Sequence, residues 1–190
     1  MNDPVSDEQL VAEALGGNRE AFAELVHRYK NKVYGLLRGM GADGMDAQDL
    51  AQETFLKAYR GLAGHDPSKS FASWLYTIAA NGLRDHWKRK RPPDDAAVAA
   101  EASAGESPEE IYLQAERRSE LRERLKRLPE NYRMVLLLRY TNDLSYEEIS
   151  GIMAVPIAKV QNDLHRAKKR LKQVMTEEEG GATHEMLKQR

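Results

Sequence analysis

The seven prolines of this 190-residue chain constrain its fold more than any other feature. They stand at 4, 67, 92, 93, 108, 129 and 156, and none falls inside a stretch with helical periodicity. Proline removes a backbone donor and pushes the residue before it out of the helical region, so each one marks an end or a break. No segment alternates polar and apolar residues over a useful length. The chain therefore reads as all-α.

Between those breaks, apolar residues recur at spacings of three and four. Residues 6–15 form a short first helix with Ser6 or Asp7 as cap, Leu10, Val11 and Ala14 inward, and Gly16-Gly17 as stop. Asn18 caps a second helix with Phe22, Leu25, Val26, Tyr29, Val33, Leu36 and Leu37 on its apolar face, closed by Gly39 to Gly44. A third runs from about Asp46 to Leu62. It turns Ala47, Leu50, Ala51, Thr54, Phe55, Ala58 and Leu62 inward and Asp46, Asp49, Glu53, Lys57 and Arg60 outward. A solvated face explains that charged stripe almost as well as a partner does.

The stretch 61–70, GLAGHDPSKS, has turn chemistry. His65 there reads as a surface histidine or as a reader of a ligand. A fourth helix follows, from Phe71 to about Arg91, with Phe71, Trp74, Leu75, Ile78, Ala79 and Leu83 inward. Thr77, Asn81, Arg84, Lys88 and Arg91 recur at steps of four and three, so they line one ridge. Trp87 sits beside the basic run Lys88-Arg89-Lys90-Arg91. A basic ridge with aromatics suits single-stranded DNA: charge tracks the phosphates, and rings stack on unpaired bases for about 1–3 kcal/mol each. Trp74 and Trp87 also read as plain core residues.

Residues 92–108, PPDDAAVAAEASAGESP, read as a flexible linker. Such small side chains cannot bury enough surface to offset chain entropy. The charge is unevenly spread: 13 bases and 12 acids in 1–91, no base and 7 acids in 92–116, 16 bases and 11 acids in 117–190. Two small helical domains, 1–91 and 109–175, are thus joined by an acidic string. Fully extended, its 17 residues reach roughly 55–60 Å, so the domains can hold separate parts of a long ligand. Residues 176–190 read as a frayed or disordered tail.

The second domain starts with a helix near Glu109 carrying Ile111, Leu113, Leu121, Leu125 and Leu128, which Pro129 breaks. The next spans Glu130 to Tyr140. Ser145 with Glu148 three residues on is a capping box that starts a helix at Tyr146. Val155-Pro156 ends it, and a second apolar stripe follows at once: Ile157, Val160, Leu164, Ala167, Leu171 and Val174. Residues 159–172 hold six Lys or Arg against one acid, Asp163. A short helix, a tight turn and a longer basic helix is the pattern of a helix-turn-helix that lays its second helix in the DNA major groove. A protein-binding helical hairpin is the competing reading, but a solvated face usually mixes its charge signs.

Composition narrows the classes further. The formal net charge is −1, so any nucleic-acid contact comes from local patches. There is no cysteine, which removes disulfides and thiolate metal sites. The N-terminus MNDPVSDEQ is acidic and is not a signal peptide. The uncharged run Ser70 to Leu83 is too short to span a bilayer. The expectation is a cytoplasmic protein with no membrane insertion. The histidines at 27, 65, 86, 165 and 184 show no metal-ligand spacing, and no nucleophile or phosphate-loop motif is present. No enzyme, metal or cofactor is expected.

From Asp7 to Val174 the chain resembles the bacterial sigma factors of the extracytoplasmic-function group. DAQDLAQETFLKAYRGL at 46–62 is similar to their segment that binds the clamp helices of the largest RNA polymerase subunit. SFASWLYTIAANGLRDHWKRKR at 70–91 is similar to their −10 helix, and LPENYRMVLLLRYTNDLSYEEIS at 128–150 to the start of their −35 domain. The resemblance implies core polymerase binding through Asp46, Asp49, Gln52 and Glu53. It implies capture of a flipped, single-stranded −10 base by the 61–70 loop (His65, Asp66, Ser68, Lys69) and by Trp74, Thr77, Asn81, Arg84, Trp87, Lys88 and Arg91. It implies double-stranded −35 recognition by Lys159, Gln161, Asn162, His165, Arg166 and Lys169. The β flap of the polymerase and an anti-sigma factor are further implied partners, and the acidic linker would follow the RNA exit path.

The chain departs from that family in its recognition helix, where Gln161-Asn162-Asp163 replaces a basic-serine-basic run. Asp163 either points away from the DNA backbone or accepts from a cytosine amino group, and Gln161 and Asn162 suit adenine. Two readings outside the family stay open: a DNA-binding regulator acting without polymerase, and a helical adaptor that binds only proteins.

Overall fold

The capping chemistry expected from the sequence starts the first two helices. The computed structural model describes residues 5–89 and 108–188, with side chains over 5–89 and 116–177. Helix α1 (Asp7–Leu15) opens on a capping box in which Ser6 Oγ accepts from the Gln9 N–H and Gln9 Oε1 from the Ser6 N–H. Helix α2 (Arg19–Met40) is capped by Asn18 and stops at Gly41, whose φ of 109° is left-handed. Helix α3 (Gly44–Gly61) starts slightly earlier than the expected Asp46, because Asp43 caps it: its carboxylate accepts from the Asp46 N–H at 2.8 Å. A 3-10 turn at Leu62–Gly64 and a loop lead into helix α4 (Phe71–Arg89). Leu25, Val33, Leu37, Ala47, Ala58, Leu75 and Leu83 close the core. The expected inward residues Trp74 and Ile78 are only partly covered.

The second domain comprises α5 (Pro108–Lys126), α6 (Glu130–Tyr140), α7 (Tyr146–Met153) and α8 (Ile157–Lys188). Val135, Leu138, Ile149, Ile152, Val160, Leu164, Ala167 and Val174 are buried. Leu121 and Ile157, both expected inside, are 48% and 40% exposed. Most of the 92–108 linker, and Arg91, lie outside the described residues. The tail expected to fray from Thr176 instead continues α8 as helix to Lys188. Two local contacts favour that: the Thr176 hydroxyl donates back to the carbonyls of Lys172 and Gln173, and Glu177 pairs with Arg127 at 2.9 Å.

The two domains pack on each other, α2 against α5 and α6, and α4 against α7. Leu137 of α6 lies where Gly39 of α2 leaves room for it. Arg133 donates to the Met40 carbonyl at the open end of α2, at 2.8 Å. The Tyr76 hydroxyl donates to Asn142 Oδ1 at 2.7 Å, and the Ser70 hydroxyl donates to the Glu148 carboxylate. The linker's reach allows separation, but burying Leu137 is worth about 1.5–3 kcal/mol, and its partners lie on both domains.

Candidate nucleic-acid interface

The loop before α4 is built by its own side chains. Asp66 Oδ1 accepts from the Ser68 N–H at 3.0 Å and the Ser68 hydroxyl at 2.8 Å, folding the chain into a tight turn. The Ser68 hydroxyl first, and then its N–H, hold the Asp66 carboxyl below the usual carboxylate range. Ser68 and Lys69 are exposed. The His65 ring stands edge-on to Trp74, with centroids 5.0 Å apart, and its Nε2 is buried without a hydrogen-bond partner among the described residues. His65, Trp74 and Phe71 thus form an aromatic wall at the start of α4.

Along α4, Thr77 is half-buried and donates to the Ser73 carbonyl, whereas Asn81 is exposed and accepts from Arg84 at 2.9 Å. Trp87 packs partly against the core, and Lys88 is exposed. The structure therefore brings His65, Trp74, Thr77, Asn81, Arg84 and Lys88 onto one side of the first domain. Tyr76 and Ala80 are buried, although the sequence reading of α4 did not place them in its inward face.

On α3, Asp49 and Gln52 are exposed, but the other two expected docking residues are engaged within the chain. Asp46 meets His86 Nε2 at 3.2 Å, and Glu53 pairs with Lys57 at 2.8 Å. The Lys57 ammonium holds the Glu53 carboxyl below its ordinary value. Sequence reasoning missed two neighbours: Met45 is 77% exposed and Leu56 55%. With Tyr59 they continue the ridge Met45, Asp49, Gln52, Leu56, Tyr59 at steps of four and three. The signal was present, since these apolar residues fall out of phase with the core stripe. Exposed apolar groups in a row mark a contact surface.

In the helix-turn-helix, the capping box forms as read: Ser145 N–H donates to Glu148 Oε2 at 2.9 Å, and Ser145 Oγ accepts from the Glu148 N–H at 3.2 Å. The turn is closed by Ala154 in the left-handed region, φ 54°, with the Ser150 hydroxyl donating to the Val155 carbonyl at 2.6 Å. Asp163 turns inward. It is 4% exposed, and its Oδ2 accepts from Asn131 Nδ2 at 3.0 Å and from Lys159 Nζ at 2.9 Å. With the one acid turned inside, Gln161, Asn162, His165, Arg166 and Lys169 are all exposed. That leaves a basic face with amide donors and acceptors, which can contact phosphates and base edges.

A cavity of about 370 Å³ is lined mostly by the second domain, with Asn131 and Met134 of α6, Met153 and Val155 at the turn and Lys159 and Asp163 of α8, while Arg84 of α4 reaches it from the first domain. Among the described residues, no helix is long and apolar enough to cross a membrane.

Comparison with known proteins matches this layout. The family profile described as Sigma-70 region 2 matches residues 25–92, and that described as Sigma-70, region 4 matches residues 118–171. The RNA polymerase sigma-H factor of Pseudomonas aeruginosa is 36% identical over 173 residues, covering 85% of this chain and 90% of that relative. The ECF RNA polymerase sigma-E factor of Escherichia coli is 36% identical over 179 residues, covering 88% of this chain and 93% of that relative. The solved structure of CnrH in complex with the cytosolic domain of CnrY is similar with a TM-score of 0.70 and 25% identity, over 90% of this chain and 97% of that one.

Proposed function

This chain belongs to the sigma-70 family, in its extracytoplasmic-function group, and from that premise we propose how its surfaces divide the work of starting transcription. A sigma factor is not an enzyme. It binds core RNA polymerase, directs it to promoters by their −10 and −35 elements, and so initiates DNA-dependent transcription. The residue assignments are the proposal.

The α3 ridge docks on the clamp helices of the largest polymerase subunit through Asp49 and Gln52, with Asp46 and Glu53 beside them. The α4 side traps the extruded −10 base, using His65, Asp66, Ser68, Lys69, Trp74, Thr77, Asn81, Arg84, Trp87, Lys88 and Arg91. Unstacking a base costs a few kcal/mol, and a stack on an aromatic wall returns about 1–3 kcal/mol. The exposed face of α8 reads the −35 duplex through Lys159, Gln161, Asn162, His165, Arg166 and Lys169, while the second domain rests on the β flap. The domain limits 1–91 and 109–175, with the acidic linker between them, belong to the same reading. So do a cytoplasmic location, where core polymerase works, and an anti-sigma partner.

One observation carries the −35 assignment: residues 159–172 of the recognition helix turn their lone acid inward and leave a basic, amide-bearing face outside. The test is transcription from a promoter library by core polymerase with and without this protein. Defined start positions that appear only with it, and that lose occupancy as salt rises, are the expected result. No such start position would overturn the proposal.

A further inference from the structure

We propose that Asp163 sets the sequence preference of the recognition helix by aiming Lys159: it fixes the lysine ammonium so that the remaining donors meet a base edge rather than the phosphates. This rests on the −35 assignment of α8 above. Asp163 itself touches no DNA; it is a positioning residue. Lys159 Nζ donates to Asp163 Oδ2, one helical turn on, at 2.9 Å, and the same oxygen accepts from Asn131 Nδ2 of α6 at 3.0 Å. The Asp163 side chain is 6% exposed and the Lys159 side chain 51%. The acid is anchored from the core side, and the lysine reaches back to it from the surface.

Lys159 stands where such aim matters. It lies in the first turn of α8, and the N-terminal residues of a recognition helix are the ones that contact base edges. Lys159, Asn162, Arg166 and Lys169 follow at steps of three, four and three, so the lysine opens an exposed ridge. An unheld lysine is a point charge on a flexible stem. It follows phosphates, and a phosphate contact carries no sequence information. Pairing with Asp163 removes that freedom. The ammonium has three N–H donors, and Asp163 takes one of them. The others are left at a fixed place, where guanine O6 and N7 are the matching acceptors. The carboxylate also offsets the ammonium charge, so the pair adds little to counterion release. A pair so exposed on its lysine side contributes little to stability. Its consequence is geometric.

The test uses the full chain with core polymerase and promoter duplexes randomised across the −35 element, selected by binding and sequenced. The duplex selected most often is then titrated over a series of salt concentrations. Asp163→Asn keeps an acceptor for Asn131 and removes the charge that holds Lys159. It should cut the preference at one base pair severalfold. It should also steepen the slope of log affinity against log salt by about 0.9, the value for one added phosphate contact. Lys159→Ala, at an exposed site, should lose the preference at that same base pair and leave the slope as it is. In the Lys159→Ala background, Asp163→Asn should change neither quantity. A preference intact at every position in Lys159→Ala overturns the proposal. So does a uniform loss of affinity in Asp163→Asn with slope and preference unchanged, the mark of a residue that only seats the helix. An Asp163→Asn effect that persists without Lys159 would place Asp163 itself on the DNA, and overturns it too. If the unaltered protein with core polymerase selects no −35 sequence, the −35 assignment fails and the aiming of Lys159 with it.

Discussion

Asp163 is where residue-level chemistry decides most. A carboxylate on a basic recognition helix would repel phosphates if it faced them. Burial against α6 removes that conflict and gives it two donors, Asn131 and Lys159. Lys159 is about half exposed, so its ion pair contributes little to stability; the bond from Asn131 lies deeper. Asp163→Ala should therefore destabilise the second domain by about 1–3 kcal/mol, mainly by leaving Asn131 without its acceptor. A urea titration of the full chain checks this. An unchanged midpoint would mean that the buried carboxylate is idle. The sequence left two orientations open for this residue, because a period of 3.6 puts position 163 at the edge of the apolar stripe and cannot say what stands opposite.

At the scale of elements, α4 and α2 each carry two buried faces. Leu75, Ala79 and Leu83 fill the core of the first domain, as their spacing implies. Tyr76 and Ala80, one residue on and so about 100° round the helix, are both 1% exposed. Single-face periodicity misses such a stripe, since Tyr76 is covered by residues far along the chain, its ring edge-on to Tyr29 of α2 and its hydroxyl donating to Asn142 of the second domain. In α2, Gly39 has the same double duty. Alanine for a helical glycine ordinarily gains roughly 0.5–1 kcal/mol. Here the added Cβ would stand 2.8 Å from both Leu137 Cδ atoms. Gly39→Ala should keep full helicity by circular dichroism and yet loosen the contact between domains, read as a larger radius of gyration by small-angle scattering. An unchanged radius would show that Leu137 simply shifts aside.

For the whole molecule, the packing of one domain on the other is coupled to protons through Glu148. Burial disfavours its charge, but donors from Ser70 and Ser145 outweigh that and hold the carboxyl below its ordinary value of 4.5. Separating the domains would remove the Ser70 donor, so the separated form binds a proton more readily than the packed one. The Ser70 contribution to that packing is then fully present above the ordinary glutamate range and is lost as pH falls through the lowered value. Small-angle scattering from neutral to acid pH should show a constant radius above about pH 4.5 and expansion below it. Glu148→Gln should remove much of that acid response. Expansion with the same midpoint in Glu148→Gln would assign the effect to other carboxylates.

What the sequence determined by itself was local. Caps, prolines and apolar spacing depend on neighbours within one helical turn, so Ser6, Asn18, Ser145 and Pro129 could be read as boundaries, and the core stripes of α2, α3 and α8 followed. The basic face of the recognition helix was legible for the same reason. What only the tertiary structure decided depends on residues far apart in the chain. The inward turn of Asp163, the second buried stripe of α4, the pairing of Asp46 with His86 and the packing of one domain on the other each need a surface supplied from elsewhere. A helical period describes one helix and does not say what covers its remaining faces.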